Sequence, residues 1–181
     1  EDTIGMFQQL GVMPSPRTAT TPDQNLALAR RFFDELLNQG RFSAMDELLT
    51  EDFEFRLPTM SALSGRDALK GYFSYLRQAF ANLKFEVVRE AAGDNKAALR
   101  WRITGKHVGE FNGVAPSGNQ VDEYGIDFFE FWGGKIKSVH VVANQLGLTN
   151  QITTGRPAAP VHARGEQRHC SQVLRLGVEQ G

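Results

Sequence analysis

The stretch Arg100–Leu148 reads RWRITGKHVGEFNGVAPSGNQVDEYGIDFFEFWGGKIKSVHVVANQLGL. Its pattern has a period of two, the signature of half-buried strands. Glycines punctuate it. Ala97–His107, Val121–Phe131 and Ile136–Ala143 read as strands, joined by the loop Gly109–Gln120 and the turn Gly133-Gly134. Gln145–Ile152 suits a last helical turn or two. In the middle run, Val121, Glu123, Gly125, Asp127, Phe129 and Phe131 share one face, and Asp122, Tyr124, Ile126, Phe128 and Glu130 share the other. Asp127 is therefore an acid in an aromatic neighbourhood, and its environment decides whether it does chemistry.

Upstream of this block the period changes to 3.6. Thr21 suits a helix N-cap, Pro22 the first turn and Asp23 the positive helix end. Leu26, Ala29, Phe33, Leu36 and Leu37 recur at helical spacing, and Gly40 ends the run. A second short helix is expected over Ser43–Leu49. Phe53–Leu57 alternates and stops at Pro58, as a short strand does. A third helix opens near Ser64 and carries Leu69, Tyr72, Phe73, Leu76, Phe80 and Leu83 on its apolar face. Lys84–Ala92 then returns to strand periodicity, turning at Gly93-Asp94-Asn95. Helices followed by a run of antiparallel strands predict an α+β fold rather than a parallel α/β one. The expected form is a cone-shaped, curved antiparallel sheet wrapped around three N-terminal helices, with an apolar cavity between them. Residues 21–152 make this domain. Residues 1–20 read as a leader, and residues 153–181, rich in Gly, Pro, Ala, Arg and Gln, as a polar tail.

Composition narrows the partners. Net charge is −1, from twenty basic and twenty-one acidic residues. Recognition of nucleic acid or an anionic membrane by charge needs a concentrated basic patch, which this balance does not supply. No run approaches the ~20 apolar residues of a membrane span, and no signal peptide is visible. The single cysteine, Cys170, cannot form an internal disulfide, which fits a cytoplasmic protein. Thirteen phenylalanines point to a large apolar core. Metal-ligand spacing, phosphate-binding loops and a nucleophile elbow are all missing from the sequence, so neither metal nor cofactor is expected.

Gly105, His107, Gly109-Glu110-Phe111, Gly113, Pro116 and Gly118, followed by Gly125-Ile126-Asp127-x-Phe129 and Gly134-Lys135-Ile136, form a pattern that resembles the SnoaL-like polyketide cyclases and the related predicted ester cyclases. These belong to the superfamily of nuclear transport factor two, ketosteroid isomerase and limonene epoxide hydrolase. The resemblance covers roughly residues 25–152 in layout and 100–148 in motif. It implies a homodimer, a small-molecule substrate such as a polyketide or terpenoid intermediate, and an intramolecular aldol step. In that step an aspartate on the last strand is the acid/base, supported by a partner on the strand before it. By position the partner falls on Asp127 and the aspartate on Val141, so the usual acid/base is replaced. Asn144 stands where related sequences often carry a further acid. A fold with many activities does not name the reaction. Proton transfer by a cofactor-free enzyme, a non-catalytic ligand-binding or association module, and an epoxide-hydrolase-like reaction all stay open.

The residues themselves add detail. A carboxyl among Phe129, Val139 and Val141 is poorly solvated, so its pKa rises and suits acid/base work near neutral pH. Asp127 and His107 are the candidate catalytic residues. Phe33, Arg56, Tyr72, Tyr75, Trp101, Phe129, Val141 and Asn144 are the candidate substrate-binding residues. His107, at the end of its strand, reaches either the cavity mouth or a loop-bracing hydrogen bond. A two-residue Gly133-Gly134 loop sets Asp127 opposite His140. A three-residue loop sets it opposite Val139 and turns His140 to the other face, as the family layout favours. One of Arg100 and Arg102 can neutralise Glu123 or Asp127, and an arginine held between two acids is what the hydrolase reading requires.

Overall fold

A computed structural model describes residues 20–58 and 60–156. Of the leader expected over residues 1–20 all but Thr20, and of the tail expected over residues 153–181 all but residues 153–156, lie outside the described residues. Helix α1, Pro22–Arg31, starts in a capping box: the Thr21 hydroxyl accepts from the Gln24 N–H at 3.3 Å, and the Gln24 side chain accepts from the Thr21 N–H at 2.9 Å. This satisfies two backbone donors that a helix start leaves open. The helix widens into a π-helical segment, Phe32–Asn38, which turns both Phe32 and Phe33 inward. Gly40, at φ +67°, ends it, and the Arg77 guanidinium donates to the exposed carbonyls of Leu37 and Asn38 at 2.9 and 3.0 Å.

A 3-10 turn (Phe42–Ala44) and the four-residue helix α2 (Met45–Leu48) lead into β1, Leu49–Arg56. This strand begins four residues before the expected Phe53. After β2 (Leu63–Ser64) comes α3, Arg66–Ala79. Strand β3 runs Phe80–Gly93, β4 Lys96–His107, β5 Gln120–Trp132 and β6 Lys135–Ala143, and α4 spans Gln145–Thr154. Phe80 and Leu83, read from the sequence as the end of the third helix, belong to β3. Their spacing of three residues is helical, and it is a bulge that includes Asn82 at φ +53° that shifts the strand parity by one and puts both on the same sheet face.

The six strands order as β2-β1-β6-β5-β4-β3. All neighbours are antiparallel except β1 and β6, which run parallel. The curved, unclosed sheet wraps around α1, the π-helical segment and α3. Alternation along β4 and β5 puts Leu99, Trp101, Ile103, Val121, Phe129 and Phe131 into the core. Phe32 sits at its centre, edge-on to Phe33, Phe73 and Phe129 with centroids 6.0, 5.8 and 5.5 Å away, a favoured arrangement of ring quadrupoles. The Asn38 amide acts as an extra strand partner, exchanging two hydrogen bonds with the backbone of Phe85 at 2.9 and 2.8 Å.

The β5–β6 hairpin settles the register. Its loop is two residues, with Gly133 at φ +55° and Gly134 at φ +77°, and Trp132 pairs with Lys135. Two consecutive positive φ values are the reason glycine is used at both places. A bulge then intervenes: Phe131 pairs with Ile136, but Glu130 pairs with Ser138. The extra residue moves Asp127 opposite Val141 and His140 opposite Phe128. Neither register expected from loop length alone is the observed one. The loop is the shorter form, whereas the side-chain parity is that of the longer.

Candidate active site

Asp127 is 3% exposed and lines a cavity between α3, the concave sheet face and the start of α4. Two neighbours on the adjoining strands, Leu99 and Val141, flank its backbone. Trp101 donates from Nε1 to Asp127 Oδ1 at 2.7 Å. Gly125 makes that contact possible. It pairs directly with Trp101, and a Cβ there would overlap the indole ring. The missing side chain lets the indole lie along β5 and reach two residues further.

The indole N–H is a donor only. Oδ1 is therefore the accepting oxygen in this geometry, and because the carbonyl oxygen is the better acceptor a proton on Asp127 is favoured on Oδ2. Among the described residues Oδ2 has no hydrogen-bond partner. Burial pushes the carboxyl up to about 7, with the Trp101 hydrogen bond opposing, so both protonation states are populated at neutral pH. Burial, and secondarily the charge of Asp127, also raise the Tyr72 hydroxyl.

Glu123 is a second buried carboxyl on the same strand face, 6% exposed. Its Oε1 accepts from Gln151 Nε2 at 2.9 Å and from Asn144 Nδ2 at 3.3 Å, and among the described residues Oε2 accepts only the Tyr124 N–H at 3.3 Å. Burial is the main cause that raises this carboxyl. Gln151, on α4, also exchanges two hydrogen bonds with the Asp122 backbone at 2.7 and 3.1 Å. Gly147 leaves room for the cluster, because a Cβ there would overlap Asn144 and Glu123.

The cavity is narrow, about 60 Å³, room for a few water-sized groups. A larger ligand requires lining side chains to move. Leu37, Phe55, Phe85, Ile103 and Phe111 supply apolar walls. No lysine, arginine or histidine is among the described residues lining it, so nothing there neutralises a phosphate or carboxylate. Among the described residues no cluster of three or more His, Cys, Asp or Glu side chains is placed to hold a metal ion.

Of the ten residues singled out from the sequence, Asp127, Tyr72, Trp101, Val141 and Asn144 line the cavity. The other five are not among its lining. Phe33 and Phe129 pack behind it in the aromatic core, with centroids 6.2 Å apart. Tyr75 stacks on Phe111 and accepts the Asn112 N–H at 2.7 Å. Arg56 lies on the outer sheet face, paired with Glu54 and beside His140. His107 is fully buried under the loop that follows β4. Its Nδ1 lies 3.0 Å from Ser117 Oγ and accepts the Ser117 N–H at 3.3 Å, while its backbone bonds Asn119 and Gly118. It braces the loop.

The arginines also face outward. Arg102 donates from Nε to Asp122 at 2.7 Å, and Arg100 lies over the Tyr124 ring at 5.1 Å. Neither comes between Glu123 and Asp127, so the arrangement required by an epoxide-hydrolase-like reaction is not formed by them. Glu123 was legible from strand parity. Gln151 was not, because its partners are some thirty residues away in sequence.

The protein-family model for SnoaL-like polyketide cyclases matches residues 27–152. No curated protein matches the chain. Solved structures do. A proposed SnoaL-like polyketide cyclase from Jannaschia sp. CCS1 shares 24% identity over 78% of this chain and 97% of its own, at a TM-score of 0.70. TsrD from Streptomyces laurentii shares 20% identity over 72% of this chain and 96% of its own, at 0.65. A proposed ketosteroid isomerase from Kribbella flavida shares 24% over 68% and 80%, at 0.53. At these identities the structures establish the cone-shaped fold. The family model spans well over half of the sequence, and with it the chain belongs to the SnoaL-like polyketide cyclase family.

Proposed function

We propose that the protein is a cofactor-independent enzyme that moves a proton on a neutral, mostly apolar, oxygenated small molecule, in a cyclisation or isomerisation. The observation that carries this reading is Asp127: a carboxyl buried in a mostly apolar cavity, with Oδ1 held by Trp101 and Oδ2 open. In its ionised form Asp127 takes a proton from carbon next to a carbonyl, leaving an enolate. In its protonated form it returns that proton at the oxygen or at another carbon. A pKa near the working pH balances the two directions, and the apolar walls orient the substrate and exclude water. Polyketide or terpenoid intermediates fit this chemistry and the family.

The test needs no natural substrate. 1-Tetralone carries exchangeable hydrogens next to its carbonyl, and their replacement in D2O is read by proton NMR. The protein is expected to accelerate exchange over buffer, and Asp127→Asn to abolish the acceleration. Exchange at the buffer rate, or acceleration that survives Asp127→Asn, overturns the reading. A second reading, a ligand carrier without chemistry, is favoured by Val141, which leaves Asp127 without a carboxyl opposite. It predicts tetralone binding with no exchange.

The outer face of β5 and β6 supports a homodimer. Tyr124, Phe128 and Val142 are 43%, 48% and 56% exposed there, an apolar surface that a second copy would cover.

A further inference from the structure

We propose that Glu123 is a specificity-determining, substrate-contacting group: its Oε2 accepts a hydrogen bond from a hydroxyl of the ligand, so the cavity takes a neutral hydroxy-ketone with its carbonyl at Asp127 and its hydroxyl at the α4 end. The inference rests on the reading that the carbonyl end sits at Asp127.

Two side-chain amides fix which oxygen is available. The Gln151 amide is oriented by backbone: its oxygen accepts the Asp122 N–H at 2.7 Å, so its nitrogen must be the group facing Glu123 Oε1. The Asn144 amide is oriented likewise, because its oxygen accepts the Gly147 N–H at 2.9 Å and its nitrogen faces the same Oε1. Both amides therefore donate to Oε1. Among the described residues Oε2 retains only the long bond from the Tyr124 N–H, 3.3 Å, and has acceptor capacity to spare. A buried carboxylate oxygen with unused capacity favours a donor.

The spacing sets the shape of the ligand. Glu123 and Asp127 lie four residues apart on one strand face, about 13 Å between Cα atoms at strand rise, with Gly125 and the Trp101 indole between them. A flat ring lies against the indole while its two oxygen functions meet the two carboxyls. Charge sets the class. Two acids with no cation among the described lining residues repel a carboxylate or phosphate and admit a neutral molecule.

The test uses the full chain and two synthetic probes, 6-(hydroxymethyl)-1-tetralone and 6-(methoxymethyl)-1-tetralone. They share the carbonyl, but only the first can donate at the far end. Calorimetry gives the ratio of their affinities. Because the carbonyl end is common to both, titration of Asp127 cancels in the ratio. Glu123 is bonded by the Tyr124 N–H, Asn144 and Gln151, pairs with Ile103 on β4 and feels the charge of Asp122, while Asp127, Tyr72, Trp101 and Gln145 share the cavity lining with it. Wild type is expected to prefer the hydroxyl probe by about tenfold, with the preference growing as pH rises and Glu123 ionises.

Glu123→Gln reverses the chemistry at one atom. The two amide donors at the Oε1 position outweigh the single 3.3 Å bond from the Tyr124 N–H at Oε2, so the new NH2 occupies the Oε2 position, gives up that bond and can only donate. The ratio is then expected to fall to one or below and to lose its pH dependence. A ratio unchanged by Glu123→Gln overturns the proposal, as does failure of wild type to bind either probe. A second measurement on wild type, carbon NMR of the Glu123 carboxyl, covers the case in which the variant does not fold. The hydroxyl probe is expected to move that signal and the methoxy probe not; equal responses overturn the proposal. Loss of exchange chemistry with an intact hydroxyl preference would remove the Asp127 reading and leave Glu123 as a binding group.

Discussion

Asp127→Asn should make this protein more stable at alkaline pH while removing its chemistry. The folded state holds the Asp127 proton up to about pH 7, against an ordinary value of 3.8. The folded protein thus binds the proton more tightly than the unfolded chain does. Stability from this group is full below the unfolded pKa, falls as pH rises, and is lost above about 7. Each pH unit in that window removes about 1.4 kcal/mol, a total of about 4 kcal/mol. Asparagine has no charge to bury, and its oxygen can still accept from Trp101 Nε1. Wild type and variant should therefore differ little in unfolding free energy near pH 4. At pH 8.5 the variant should exceed wild type by up to about 4 kcal/mol. Urea unfolding followed by circular dichroism at both pH values measures this. Other titrating groups, such as Glu123 and Asp122, are common to both proteins and cancel in the difference. A variant that differs from wild type by the same amount at pH 4 and 8.5 would refute the buried ionisation and, with it, the acid/base role.

Gly125→Ala should destabilise the fold by about 1–3 kcal/mol through overpacking against Trp101. By breaking the Trp101 hydrogen bond it should also raise the Asp127 pKa above about 7, as carbon NMR of the carboxyl would show. Arg102→Ala should leave tetralone exchange unchanged. It should cost less than about 1 kcal/mol in urea unfolding, because the Arg102–Asp122 pair faces solvent with side chains 38% and 44% exposed. Phe128→Glu, on the outer sheet face, should shift the sedimentation coefficient from that of a dimer to that of a monomer. An unchanged coefficient would remove this face as the dimer contact.

Much of the architecture was legible because it is written in local periodicity. The alternation through β4 and β5 told which residues face inward, and the buried set Val121, Glu123, Asp127, Phe129 and Phe131 matches it. The Thr21 cap and the glycine turn at Gly133-Gly134 are equally local, depending on one side chain or one φ angle. Boundaries were less legible. Phe80 and Leu83, three residues apart, follow a helical pattern, and only the bulged pairing of β3 with β4 makes them part of a strand. Of the site, Asp127, Tyr72, Trp101, Val141 and Asn144 could be named in advance. Arg56, by contrast, faces outward, as its alternation with the buried Phe53, Phe55 and Leu57 requires; that local parity was legible and argues against a place in the cavity.

The chain's sequence alone thus determined the fold class, the inward face of each central strand and the presence of an acid among aromatics. Those follow from hydrophobic burial acting at periods of two and 3.6. The tertiary structure alone decided the company that acid keeps. A one-residue bulge at Lys137 set the register and turned His140 away. A helix from the far end of the domain brought Gln151 onto Glu123, and the bare Cα of Gly125 admitted the Trp101 indole to Asp127. A carboxyl's pKa depends on which atoms surround it in space, and those atoms come from segments that sequence order keeps apart.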